Sequence, residues 1–174
     1  MDIAYYVAAS LDGYIAGPDG GIDWLAPFET PREDYGYAAF YAGIDAVVLG
    51  RRTYELSLSF DEWPYAGKRV WVLSRTLPAA ETPQATVTAA SPREVAAAME
   101  NAGLRRAWLV GGGETAGAFR AAGLITEYIV SVIPVVLGGG VPLFAANGPR
   151  EHLILTSSEP YDNGLVQLRY LRLE

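Results

Sequence analysis

The chain has no cysteine and a single histidine, His152. Without cysteine there are no disulfides, no thiolate zinc sites and no sulfur nucleophile. With one imidazole, a His-rich metal site is excluded, and Ser-His-Asp chemistry would have to pass through that ring without the G-x-S-x-G turn that usually carries it. Basic residues are also scarce: 13 Lys and Arg stand against 20 Asp and Glu, a net charge of −7. Nucleic-acid binding needs a dense basic surface, so it is not expected. No basic, apolar leader opens the chain, which reads Met1-Asp2-Ile3, and a cytoplasmic location is expected. The longest uncharged run, Tyr128 to Pro149, is interrupted by Pro134, Pro142 and Gly138-Gly139-Gly140. Its β-branched residues suit strands better than a membrane-spanning helix.

What the chain does have is apolar bulk. Its 174 residues are 51% hydrophobic and 19% charged. That is enough for one domain, residues 1–174, burying ~70% of the surface its unfolded chain exposes. No repeat, low-complexity tract or linker divides it. Ile3–Ala8 reads as a strand buried on both faces, followed by a Gly-, Pro- and Asp-rich loop from Asp12 to about Pro31. Tyr37, Phe40 and Tyr41 predict a helix over 32–41. Further strands are expected at 46–49, 69–73, 107–110 and 127–137, with helices at 51–58, 92–101 and 114–122. Ser91-Pro92-Arg93-Glu94 has the form of a capping box with proline at the first helical position. Gly103 and Gly123 are placed to end the last two helices. Asp162-Asn163-Gly164 predicts a hairpin turn between two alternating segments, 152–159 and 165–173. The sum is an α/β fold: a mostly parallel central sheet, helices on both faces and a C-terminal antiparallel hairpin. Its flat apolar strands suggest a homodimer.

Open sheets of this kind bind ligands beyond the carboxyl ends of their parallel strands. Three such ends stand out. Leu109-Val110 runs into Gly111-Gly112-Gly113-Glu114-Thr115, a glycine turn opening a helix, where a ligand can approach bare backbone and phosphate is favoured by N–H groups and the helix dipole. The alternative is a tight turn with no ligand. Gly111 to Ala116 fits G-x-G-x-x-[GA], but no acid follows at the ribose-binding offset, so an NAD-type Rossmann site is disfavoured. The other two ends carry Gly50-Arg51-Arg52-Thr53 and Leu73-Ser74-Arg75. Guanidinium groups and hydroxyls in these positions would serve a ligand with several phosphates, or else merely solubilise loops. A P-loop is absent.

Four motifs in order make the chain resemble the dihydrofolate reductase-like superfamily, and within it the reductase domain of riboflavin-biosynthesis deaminase–reductases. They are Ser10-Leu11-Asp12-Gly13-Tyr14-Ile15-Ala16, Val48 to Glu55, Trp108 to Gly113, and Pro134 to Phe144. The resemblance implies a three-layer sandwich and NADPH as hydride donor. It implies that Gly50, Arg51, Arg52 and Thr53 face cofactor phosphates, that Leu73, Ser74 and Arg75 lie near the adenosine 2′-phosphate, and that Gly111, Gly112, Gly113, Glu114 and Thr115 hold the pyrophosphate. Ala8 and Ile15 would line the nicotinamide end.

A catalytic acid has two candidates. Asp34 lies 16 residues before Gly50, the offset of the pterin-binding carboxylate in dihydrofolate reductases. Asp12 belongs to the Ser-Leu-Asp-Gly motif near the expected nicotinamide. Their structural alternatives are a helix-start acid and a turn-forming aspartate. Trp24 resembles a tryptophan beside the folate site, with a loop anchor as its alternative. Ala38 stands where dihydrofolate reductases have an aromatic contact to the pterin, which speaks against folate. Trp63-Pro64-Tyr65 is expected to pack as a loop, and His152 to lie at the surface. The zinc deaminase of the bifunctional enzymes is absent, since its ligands include cysteine. The reading is an NADPH-dependent reductase of a small molecule, with 5-amino-6-(5-phosphoribosylamino)uracil preferred as substrate. A reductase of pterins or another heterocycle, and a non-catalytic nucleotide sensor, are the alternatives.

Overall fold

The computed structural model describes residues 1–145 and 148–173. In chain order the elements are β1 (Asp2–Ser10), β2 (Tyr14–Ala16), a 3-10 helix (Asp23–Phe28), α1 (Tyr37–Ala42), β3 (Ala46–Gly50), α2 (Arg51–Ser57) and β4 (Arg69–Leu73). There follow β5 (Ala80–Glu81), β6 (Thr86–Thr88), α3 (Pro92–Asn101), β7 (Arg106–Gly111), α4 (Gly113–Ala121), β8 (Glu127–Ile133), β9 (Val141–Pro142), β10 (Leu153–Pro160) and β11 (Val166–Arg172). The main sheet has the order β10-β11-β8-β1-β7-β3-β4-β6-β5. From β8 to β6 all neighbours are parallel, while β10, β11 and β5 join antiparallel at the two ends.

Alternation along the central strands sends side chains into two cores. Ile3, Tyr5, Val48, Ala107 and Leu109 pack with Val95 and Met99 of α3 and Ala116 and Phe119 of α4. Ala4, Val47, Leu49, Val70 and Val72 pack on the other face with Phe40 of α1, Ile44 and Tyr65. Strands buried on both faces need apolar residues at every position, which is why the sequence shows runs there and not alternation.

The start and stop signals act as their chemistry requires. Ser91 Oγ accepts from the Glu94 N–H, and the Glu94 carboxylate accepts from the Ser91 N–H at 2.7 Å. Gly103 and Gly123 take φ +77° and +67° at the ends of α3 and α4.

Three expectations need correction, and two short strand pairs had no signal in the sequence. The helix expected at 32–41 begins only at Tyr37, because Tyr35 and Gly36 are left-handed (φ 54° and 75°). The strand expected to reach residue 137 stops at Ile133, where Pro134 removes a ladder donor and the chain turns, Val135 N donating to Ile133 O at 2.7 Å. The short pairs β2–β9 and β5–β6 carried too few residues to show a period. The hairpin strands run at 153–160 and 166–172, which leaves His152 exposed just ahead of the first.

Candidate functional site

The chain leaves β1 to build β3, β4 and β6, then returns to insert β7 between β1 and β3 and lay β8 on the other side of β1. The connections therefore diverge beyond the carboxyl ends of β1, β7 and β3, the position at which such sheets form a crevice.

Two turns meet there. A methyl group on Gly50 would lie 2.4 Å from Thr115 Oγ1, so the β3–α2 turn is packed directly on the first turn of α4. A methyl on Gly112 would come 3.8 Å from Thr53 Oγ1, and one on Gly113 only 2.6 Å from the Pro142 carbonyl. The glycines are thus required by neighbouring backbone and by Thr115, and Gly112 keeps an open face. The Gly111–Gly112 peptide is cis. Neither α2 nor α4 has a side-chain cap among the described residues, so the first-turn N–H groups of both helices are available to an anion.

The expected cofactor residues fall into three groups. Gly50, Thr53, Gly111, Gly112, Gly113 and Thr115 are brought together. Arg51 is engaged by Glu55 one helical turn on, at 3.0 and 3.1 Å, whereas Arg52 and Arg75 are exposed and have no carboxylate partner among the described residues. Ser74 is buried, and its Oγ accepts from the Thr76 and Leu77 N–H groups at 3.2 and 2.9 Å, so it shapes the turn that carries Arg75. Leu73 packs into the core beneath that turn, and Glu114 is exposed in the first turn of α4. Ala8 and Ile15 are half-buried on β1 and β2, Ala8 standing opposite Ser131 of β8.

Both candidate acids are already committed. Asp12 accepts from Ser10 Oγ at 2.7 Å, from Leu137 N at 3.0 Å and from Gly138 N at 2.7 Å, tying the β1–β2 turn to the loop after β8. Asp34 accepts from Gly36 N at 2.9 Å and Ala38 N at 3.0 Å, at the start of α1. The Ser10 hydroxyl chiefly holds Asp12 below the usual carboxylate range, and backbone N–H groups do the same for Asp34. Trp24 is half-buried on the 3-10 helix, with an indole N–H that is buried and unpartnered among the described residues. Trp63 and Tyr65 stack edge to face at 5.2 Å in the core on the α1 side.

Sequence reasoning missed a polar cluster beside Ala8. Gln167 of β11 stands opposite Ser131, which stands opposite Ala8. Gln167 Nε2 lies 3.1 Å from Tyr6 Oη, 3.1 Å from the Tyr35 carbonyl and 3.2 Å from Ser131 Oγ. The Tyr35 hydroxyl donates to the Phe28 carbonyl at 2.6 Å, and Asn163 Nδ2 donates to it at 2.6 Å. The loop ahead of α1 is thereby fastened to the C-terminal hairpin. The one prior signal was Tyr6 itself, two residues before Ala8 and so on the same sheet face. Among the described residues no group of acids or His could hold a metal, and no helix is long and apolar enough to cross a membrane.

Comparison with known proteins gives a consistent outcome. The RibD C-terminal domain family matches residues 2–167. Two uncharacterised Bacillus subtilis proteins are similar along their length: YwjB is 37% identical over 96% of this chain and 95% of its own, and YyaP 30% identical over 94% and 91%. A crystal structure of a putative riboflavin biosynthesis protein from a Shewanella species superposes with a TM-score of 0.90 at 34% identity, covering both chains entirely. A diaminohydroxyphosphoribosylaminopyrimidine deaminase/5-amino-6-(5-phosphoribosylamino)uracil reductase from Thermotoga maritima superposes with a TM-score of 0.77 at 13% identity. This chain spans 56% of that protein, so the likeness concerns the fold of one part of it.

Proposed function

The chain belongs to the RibD C-terminal domain family, and from that membership we propose that it is an NADPH-dependent reductase of a small heterocyclic substrate. The observation that carries the reading is the junction of the β3–α2 and β7–α4 turns. Thr53 and Thr115 close on bare glycine backbone at two uncapped helix starts. Backbone N–H groups and hydroxyls in that arrangement suit a pyrophosphate. Arg52, and Arg75 on the turn shaped by Ser74, have no carboxylate partner among the described residues and can meet further phosphate oxygens, and a 2′-phosphate is what separates NADPH from NADH. The cofactor, when bound, supplies a hydride; the protein's part is to orient it, exclude water and provide a proton.

The preferred substrate is 5-amino-6-(5-phosphoribosylamino)uracil, whose ribosyl group would be reduced to ribityl. Support comes from the family match and from the Shewanella protein's description. The Pro134–Phe144 segment, fastened to the Ser-Leu-Asp-Gly turn through Asp12, adds to it. A pterin reductase has less support, since Ala38 offers no aromatic contact. The protein is expected to work as a homodimer: β10 is exposed along its whole length and, with β11 and the residue after it, leaves Ile154, Leu155, Leu171 and Leu173 about half in water. Sedimentation giving only the 18.7 kDa species at micromolar concentration would refute the dimer.

Parallel assays following NADPH oxidation with the pyrimidine and with dihydrofolate test the function. Turnover of the pyrimidine is expected. Turnover of dihydrofolate alone would overturn the substrate assignment, and NADPH binding without turnover of either would favour a sensor.

A further inference from the structure

Reduction of a C=N or C=O bond needs a proton for the heteroatom as well as a hydride for the carbon. Asp12 and Asp34 are held in the ionised form by the hydroxyl and N–H groups that donate to them, so neither holds a proton to give near neutral pH. The face of the sheet that carries Ala8 offers another group.

Tyr6 precedes Ala8 by two residues and shares its face. Its ring is fixed edge-on against Phe40, with centroids 4.7 Å apart at 88°, and lies 6.3 Å from Trp108. Its hydroxyl lies 3.1 Å from Gln167 Nε2, which also donates to Ser131 Oγ at 3.2 Å; Ser131 and Gln167 are the residues level with Ala8 on the next two strands. The Tyr35 carbonyl can only accept, so the Gln167 amide must turn its nitrogen toward this cluster. The two N–H groups are shared among three oxygens, the phenol oxygen being one of them at 3.1 Å. Among the described residues the acceptor in line with its own proton is the Tyr35 carbonyl, at 3.4 Å, close to the outer limit of a hydrogen bond. A rigid ring, a supported oxygen and a loosely committed proton are what a general acid requires.

We propose that Tyr6 is the proton donor of the reduction, with Gln167 and Ser131 as positioning residues that hold its oxygen level with Ala8 and stabilise the phenolate. This rests on the reductase reading. The ribosylamine first opens to its imine, the C1′–O4′ bond breaking as the N–H proton passes to O4′; as C1′ then accepts the hydride, the π pair of the C=N bond moves to nitrogen and takes the Tyr6 proton. Water then reprotonates the phenolate. The substrate gains two electrons and two hydrogens, and NADPH becomes NADP⁺. Of the charged groups facing the phenol, Arg169 of β11 favours its ionisation and Asp34 opposes it, while burial dominates and keeps it protonated.

Tyr6→Phe and Gln167→Met, both keeping the packing, test the assignment with 5-amino-6-(5-phosphoribosylamino)uracil in single-turnover reactions and with calorimetric titrations of NADPH and of the pyrimidine. Tyr6→Phe is expected to lower the reduction rate by about 100-fold or more, with both dissociation constants within about threefold of wild type. Its residual rate should fall about tenfold per pH unit between roughly pH 6 and 8, as for a proton drawn from solvent, while wild type stays flat. Gln167→Met should slow wild type by about tenfold and leave Tyr6→Phe unchanged, since the amide acts through the phenol. Tyr6→Phe within about threefold of wild type, or effects of the two substitutions that multiply, would overturn the inference and leave the reductase reading standing. Failure of the wild type to bind or oxidise NADPH with this pyrimidine would overturn both.

Discussion

Replacing Gly50 by alanine adds one methyl group at the point where the two cofactor-facing turns touch. The backbone there (φ −83°, ψ 165°) is ordinary for any residue, so conformational strain contributes nothing and the cost is steric. The methyl would sit 2.4 Å from Thr115 Oγ1, with Thr115 Cβ and the Gly111 carbonyl each 3.5 Å away. To admit the methyl, Thr115 must leave its rotamer or the turns must separate. Overpacking of this kind costs about 1–3 kcal/mol. In a Thr115→Ala background the clashing atom is gone, and the same methyl meets ordinary contacts. Urea unfolding of the four proteins of this cycle should show Gly50→Ala destabilising by about 1–3 kcal/mol alone and by under about 0.5 kcal/mol beside Thr115→Ala. NADPH affinity should drop in the single variant. Equal costs in the two backgrounds, or no cost in the first, would refute the packing of these turns on each other.

Arg75→Ala should weaken NADPH binding by about 10- to 100-fold, the loss of a charge-assisted contact, while NADH binding changes by under about threefold. Loss of affinity for both alike would remove Arg75 from the 2′-phosphate. Asp12→Ala should speed hydrogen exchange of the Leu137 and Gly138 amides, which the carboxylate holds, and unchanged protection would show that the loop is fixed otherwise. Asp12, Asp34, Asp45 and Glu94 all have folded pKa values below their usual ones, through hydrogen bonds from the Ser10 hydroxyl, backbone N–H groups or the Ser91 hydroxyl. Their contribution to stability is complete above the ordinary carboxylate range and is lost as pH falls through the lowered values. The urea midpoint should hold between about pH 6 and 8 and decline below about pH 4; a decline already complete by pH 5 would contradict this.

The parts of the fold set by local chemistry were legible. The central strands announced themselves because burial on both faces leaves no polar position, and α3 because Ser91, Pro92 and Glu94 fix its start within a few bonds. Elements of two or three residues, such as β5, β6 and β9, have no period to display, and β9 is held by a partner more than a hundred residues away, β2. The delayed start of α1 depends on Tyr35 accepting a left-handed conformation, which its contacts with Phe28, Asn163 and Gln167 enforce. At the site, glycine turns and strand-end arginines were visible because bare backbone and guanidinium groups are unusual in those places. That Arg51 turns to Glu55 and that Ser74 shapes its own turn are outcomes of neighbours. The cluster of Tyr6, Ser131 and Gln167 joins residues up to 161 positions apart, and strand order alone brings them together.

Calorimetric titration of the wild-type protein with NADPH and NADH reads the 2′-phosphate contact itself. Arg52 and Arg75, without a carboxylate partner among the described residues, should favour NADPH by about 2–3 kcal/mol. Equal affinities would contradict the 2′-phosphate assignment, and no binding of either would contradict a nucleotide site at these turns.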